Sequence, residues 1–156
     1  MLTDSQYKSV WERQIEAEVR SLYFADLTHR FAQQRQAITF LTFFLSSGAA
    51  AILVAKLPSW VAILLSILVA LLTAYSVALR LDVKISTMSK LHGEWATLAI
   101  GYEQLRENAD GEDTDAVLSD LLRRDLEASK LAAIEAPNDQ ERMARWTDQV
   151  FLQHGL

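Results

Sequence analysis

The sequence contains no cysteine, which excludes disulfide frameworks, thiolate zinc sites and thiol nucleophiles. Glycine occurs five times and proline twice. No glycine-rich phosphate loop, nucleophile elbow or His-Glu-x-x-His pattern is present. The three histidines, His29, His92 and His154, lie in three different segments, none with acidic neighbours at metal-ligand spacing, and they read as surface residues. No catalytic residue, cofactor or metal site is expected, and the chain reads as a non-enzyme. The most informative absence is charge. Twenty residues between Arg35 and Lys56 carry none, and neither do the twenty-three between Lys56 and Arg80.

Those two gaps hold much of the 51% hydrophobic content. Twenty helical residues cover roughly 30 Å, the thickness of a bilayer's hydrocarbon core. Two adjacent helices that are apolar all round would need more covering surface than the rest of so short a chain supplies, which disfavours a soluble bundle. The first apolar run begins near Ala37, too far from Met1 for a cleavable signal, so both segments are expected to stay. The fold expected is an all-α membrane protein: a two-span transmembrane helical hairpin extended by long cytoplasmic helices, with short C-terminal helices packed on them. Its parts are an N-terminal helix over 1–36, the hairpin over 37–79 (spans 37–56 and 60–79), a helix over 80–107 that continues the second span, and an acidic loop with C-terminal helices over 108–156.

The spans meet at Leu57-Pro58-Ser59, where Pro58 lacks a backbone donor, biases Leu57 away from the helical region and leaves Ser59 to cap the second helix. Lys56 and Trp60 flank the turn at the depth where a snorkelling amine and an amphipathic ring are favoured. Arg20, Arg30, Arg35, Arg80, Lys84 and Lys90 stand on the side of the two termini, against Lys56 alone on the other. The positive-inside rule therefore places both termini in the cytoplasm.

Outside the spans, residues 4 to about 35 read as one helix bearing Trp11, Ile15, Val19, Leu22 and Leu27, with no Gly or Pro to break it. After Arg80 the apolar residues Leu81, Ile85, Met88, Leu91, Trp95, Leu98, Tyr102 and Leu105 step by threes and fours. That near-heptad predicts an uninterrupted continuation of the second span to about Glu107. Its seam suits antiparallel pairing with the leading helix and a neighbouring subunit equally well. Residues 108–115 (NADGEDTD) lack the Asp and Gly spacing of a calcium loop and read as a solvated connector. A helix from about Asp115 to Glu135 carries Val117, Leu118, Leu121, Leu122 and Leu126 on an apolar face. Pro137 ends it, and Asn138 with Glu141 has the form of a capping box opening a last helix with Met143, Trp146, Val150 and Phe151. Residues 80–156 hold nine basic and fifteen acidic side chains, which argues against nucleic acid as a partner.

Within the spans, short of Lys56 at the turn, the polar groups are hydroxyls and no side chain carries a charge at neutral pH, so ion-coupled transport has nothing to couple with. Thr39, Thr42 and Ser46 share one face and, ringed by several copies, would line a weakly selective pore; alternatively they bond back to their own helix carbonyls. In the second span Ala62, Ser66, Ala70, Ala74 and Ala78 recur every fourth residue, a helix-packing ribbon that permits close backbone approach in lipid. Ser47, Ala51 and Ala55 offer a matching strip in the first. The hairpin mouth has neither acidic residues nor a Gly-Met-Asn turn, which excludes the two-span calcium-uniporter and magnesium-channel types.

The leading helix with Trp11, Arg20, Tyr23, Phe24 and Arg30, the tight hairpin at 37–79 and the long following helix with Trp95 together resemble the SLATT family of bacterial two-span effectors. These stand beside nucleotide-second-messenger systems in antiphage defence. The resemblance is architectural and covers most of the chain up to Asp115. It implies an effector that assembles as a homo-oligomer in the bacterial inner membrane, opens a pore and collapses the membrane potential. Residues 80–156 contain nothing like a nucleotide pocket, so the trigger would come through a cytoplasmic sensor or signalling protein. A non-conducting membrane anchor for such a partner is the alternative.

Overall fold

The fold is given by a computed structural model that describes residues 2–47, 58–111 and 113–155, the side chains of Ser59 and Ala62 excepted. Among the described residues the chain is helical and has no strand: α1 (Asp4–Ser46), α2 (Ser59–Leu79), α3 (Leu81–Glu107), α4 (Thr114–Glu135) and α5 (Gln140–Gln153). Lys56, Leu57, Ala51 and Ala55, named above for the turn and the first-span strip, lie outside the described residues.

The first helix starts at a capping box that the sequence reading missed. The Gln6 amide donates to Thr3 Oγ1 at 3.4 Å and the Thr3 amide to Gln6 Oε1 at 2.9 Å, which satisfies two donors that the first turn would otherwise leave open. As expected, α1 then runs without a linker into the first apolar segment. Two capping expectations are corrected. Ser59 is the first helical residue, and Pro58 holds the capping position with φ −57°. The last helix is capped not by the Asn138/Glu141 pair but by Asp139, whose carboxylate accepts from the Arg142 amide at 3.2 Å.

The smooth continuation expected from α2 into α3 is not found either. Arg80 stands between α2 and α3 in the left-handed conformation, φ 46° and ψ 44°. The reason is phase. In an uninterrupted helix Leu81 and Ile85 would lie roughly half a turn round from Leu72, Ser76 and Leu79. Yet Leu81 is 3% exposed, and the other four are half-buried. One left-handed residue lets both sets be covered, at a cost of about 1 kcal/mol for a side chain that disfavours that region.

Two compact units are distinguished, Met1–Leu27 with Ser86–Leu156 and Thr28–Ile85. In the first, α1 and α3 pair antiparallel. The Leu2 amide bonds to the Ala109 carbonyl at 3.0 Å, the Arg106 guanidinium lies 4.6 Å over the Trp11 ring, and that of Arg20 lies 4.5 Å over Trp95. The core is built from Val10, Ala17, Tyr23 and Leu27 of α1 and Met88, Leu91, Trp95, Leu98, Tyr102 and Leu105 of α3. The seam is thus filled within the chain. Leu121 and Ala128 of α4 join it, and Val150 of α5 closes a smaller cluster with Ile15 and Val19. The Tyr23 hydroxyl donates to the Pro137 carbonyl at 2.6 Å, and Arg142 pairs with Asp26 at 2.7 Å. The short helices therefore pack on the α1–α3 pair, as expected.

Two readings of surface and face are corrected here. Of the five apolar residues assigned to one face of α4, Leu121 is buried and Leu118 half-buried, while Val117, Leu122 and Leu126 are exposed. Two of the histidines are half-buried rather than on the surface. His92 Nδ1 lies 3.0 Å from both the Ser21 hydroxyl and its carbonyl; since the carbonyl only accepts, that nitrogen carries the proton. His154 Nε2 meets Glu18 at 2.7 Å, its ring edge-on to Trp11. His29 is exposed, against Gln33.

Candidate functional site

In the unit of residues 28–85, α2 opens the helical run Ile63–Glu107, broken at Arg80, which contains an apolar stretch long enough to cross a bilayer, none of it buried. The exposed residues there include Ile63, Leu64, Ile67, Leu71 and Val77. A helix that leaves such side chains uncovered on most of its circumference has the surface expected of one solvated by hydrocarbon. Its half-buried positions, Val61, Leu65, Val69, Leu72, Ser76 and Leu79, fall on one side of α2. The small-residue ribbon falls on the other: Ser66, Ala70, Ala74 and Ala78 are exposed, and the Ala62 side chain lies outside the described residues. The ribbon side of α2 is thus the more exposed of the two among the described residues.

The three hydroxyls of α1 expected to line a pore do not share one environment. Thr42 is half-buried; Thr39 and Ser46 are exposed. Ser46 Oγ donates to the Thr42 carbonyl at 2.7 Å, Ser47 Oγ to the Phe44 carbonyl at 2.7 Å and Thr73 Oγ1 to the Val69 carbonyl at 2.9 Å. Ser46 and Thr73 thus satisfy themselves within their own helices, and Ser47, just past the end of α1, bonds back to its last turn. Thr39 borders a 520 Å³ groove beside Phe40, Phe43 and Ile85. Near it Arg35 meets Asp82 at 2.9 Å and the Lys84 amine lies 5.8 Å over the Phe31 ring. Both partners of the ion pair are largely exposed, so it is worth at most about 1 kcal/mol.

The other unit carries a polar cluster that joins three helices. Asp125 of α4 accepts from Arg13 of α1 at 3.1 Å, from the Tyr102 hydroxyl of α3 at 3.1 Å and from Ser129 at 3.3 Å. Arg20 of α1 reaches Ser129 Oγ at 3.0 Å and pairs with Glu16. Burial, reinforced by the Asp125 charge, pushes the Tyr102 hydroxyl well above its ordinary range. Asp26 holds the Arg142 guanidinium more firmly protonated than usual. Gln14 Oε1, Trp95 Nε1 and Arg106 Nε are buried with no hydrogen-bond partner among the described residues.

Two open grooves flank this cluster. One, of 590 Å³, lies between α1 and α5 over Trp11, Ile15, Met143 and Phe151, and its charges are paired as Lys8 with Glu12 and Arg20 with Glu16. The other, of 930 Å³, lies between α3 and α4 over Ile100, Gly101, Val117 and Leu121. Gly101 permits the close approach, because a Cβ there would come 2.6 Å from a terminal methyl of Leu121. No group of three or more side chains able to hold a metal occurs among the described residues.

Arg20 and Trp95 were singled out separately in the sequence, but not their stacking. Nothing pointed to Asp125, Arg13 or Ile100. The available signal was Tyr102, a hydroxyl-bearing ring in a seam otherwise apolar, since a buried hydroxyl requires an acceptor. Compared with known protein families, with curated proteins and with solved structures, the chain matches none of them.

Proposed function

We propose that the chain is a two-span membrane effector that assembles into homo-oligomers and permeabilises or depolarises a bacterial inner membrane in antiphage defence. Both termini and the unit of Met1–Leu27 with Ser86–Leu156 face the cytoplasm, and the trigger comes through a cytoplasmic sensor protein. The proposal includes no enzymatic step and no nucleic acid. The observation that carries it is the division of α2: one side is half-buried within the chain, while the ribbon of Ser66, Ala70, Ala74 and Ala78 stays exposed. In lipid, where burial of apolar surface no longer drives association, small residues left open on a helix are suited to close contact with a second copy. The membrane-depth residues without charge and the SLATT-like layout support the rest.

A second reading, a non-conducting anchor for a cytoplasmic complex, is favoured by the hydroxyls of Ser46, Ser47 and Thr73, which are engaged by carbonyls three or four residues back in the same segment. One experiment separates the two. The chain is induced in a bacterium carrying a potential-sensitive dye, with and without phage challenge. Loss of potential on challenge supports the effector; a potential that holds in both conditions leaves the anchor. Topology is checked independently, because a cysteine-free chain accepts single reporters: Pro58→Cys is to react with an impermeant maleimide from the periplasm, and Ile134→Cys is not. Equal labelling of both removes the two-span arrangement.

A further inference from the structure

We propose that the groove between α3 and α4 docks a basic amphipathic helix of a cytoplasmic partner. This deepens the reading above, in which the trigger arrives through another protein, by naming the surface and the chemistry it takes. The groove is open, 930 Å³ in volume, and two large aliphatic side chains in it are left in solvent, Ile100 at 54% and Val117 at 44% exposed. Such a trough suits a helix that inserts apolar anchors spaced three or four residues apart.

Charge selects the occupant. Asp113 lines the groove, and Glu103 and Glu107 follow Ile100 by three and seven residues, which places them on its side of α3. All three are exposed, and none has a cationic partner among the described residues. Asp120, also lining, is paired with Arg123. The one cation among the described lining residues, Arg124, lies 3.8 Å from Glu94. The rim is therefore acidic over an apolar floor, in a segment whose net charge is already negative. A second copy would bring like charge to like, which disfavours self-docking; a helix with lysines or arginines beside its apolar stripe is complementary. The α1–α5 groove shows the contrast, since its rim charges are paired and specify no sign.

The test uses the full-length chain in cells, with a photo-crosslinking amino acid at position 100 or 117 and, as control, at position 126 on the other side of α4. Adducts are digested and the captured segment is sequenced. The expected result is capture at 100 and 117, not at 126, of a partner segment with net positive charge and apolar residues three or four apart. That segment, made as a peptide, is to bind the purified chain in nanodiscs and lose roughly tenfold or more in affinity when Glu103→Lys, Glu107→Lys and Asp113→Lys are combined. Circular dichroism verifies that this exposed triple variant remains helical; if it does not, Asp113→Lys alone with a salt titration replaces it. Absence of adducts, capture of a second copy, capture of a neutral or acidic segment, or binding indifferent to charge reversal and salt overturns the proposal. Loss of membrane potential without such capture would refute the docking surface and leave the effector reading standing; capture without loss of potential would do the reverse.

Discussion

Removing the Asp125 carboxylate tests whether the polar cluster holds three helices together. The side chain is 15% exposed and accepts from Arg13, Tyr102 and Ser129. In Asp125→Ala the Tyr102 hydroxyl, on a residue that is 0% exposed, stays buried with no acceptor, which costs about 1–3 kcal/mol. Arg13 is 40% exposed on its side chain and rehydrates, so its loss adds at most about 1 kcal/mol. The sum expected is about 1–4 kcal/mol. Tyr102→Phe alone leaves Asp125 two donors and should cost about 0.5–1.5 kcal/mol. In the double variant the stranded hydroxyl is gone, so Asp125→Ala/Tyr102→Phe should be more stable than Asp125→Ala alone, with a coupling of about 1–2 kcal/mol. The assay is urea unfolding in nanodiscs followed by tryptophan fluorescence. Trp60→Phe in the background leaves the signal to Trp11, Trp95 and Trp146, all in the same unit. Additive losses, or a double variant less stable than Asp125→Ala, would show that the hydroxyl does not depend on the carboxylate.

The same hydroxyl sets an alkaline limit. Its folded pKa is raised above the unfolded value of 10.0, so its contribution is complete below pH 10.0 and is lost as pH climbs beyond it; Tyr102→Phe should flatten the fall in melting temperature at alkaline pH, and an unchanged fall would exclude this group. At the α2–α3 break, Arg80→Gly should raise stability by about 1 kcal/mol by relieving the left-handed strain, whereas Arg80→Val should lower it, as read from thermal unfolding. Opposite signs would mean that Arg80 is not held there. In the membrane, Ala70→Leu with Ala74→Leu should weaken self-association in detergent by crosslinking and abolish depolarisation while leaving insertion intact; oligomers that survive remove the ribbon from assembly.

What was legible in the sequence was what periodicity and absence of charge write directly. Among the described residues the helices lie where uncharged runs and three-four spacing put them, and α1 passes from charged to apolar segment unbroken as far as Ser46 because no Gly or Pro interrupts it. Arg80 was missed because three-four spacing was followed forward from Leu81 and not compared with the phase of Leu72, Ser76 and Leu79. The α4 face was overread: a stripe of five apolar residues is wider than the strip one neighbouring pair of helices can cover, and Leu122 and Leu126 fall outside it. Of the candidate site, the ribbon was visible as a repeat, but which side of α2 the chain covers depends on contacts between distant residues. His92 and His154 were misjudged for the same reason, since Ser21 and Glu18 lie on another helix, far away in sequence.

The polar contacts also settle a question that the apolar seam leaves open. A near-heptad pattern tolerates sliding by seven residues, because one aliphatic residue replaces another at equivalent places. The polar groups do not. Ser21 meets His92, Arg20 covers Trp95 and Arg106 covers Trp11 in only one antiparallel register, and Asp125 reaches Arg13 and Tyr102 together only in that register. Shifted by a heptad, His92 would lose Ser21 and Asp125 would lose Arg13, although its bond to Tyr102, made between α3 and α4, would remain; the penalty is about 1–3 kcal/mol for a buried group left stranded. The aliphatic residues therefore supply most of the stability, and this small set of polar ones specifies the alignment. A variant that replaces Asp125, Tyr102, Ser21 and His92 with aliphatic residues of similar size should remain helical but pair α1 with α3 in more than one register. Crosslinks between cysteines placed at positions 9 and 107, and at 9 and 100, distinguish the outcomes: the parent chain should give one dominant product and the variant both. A single product from the variant would transfer the specification of register to the aliphatic packing.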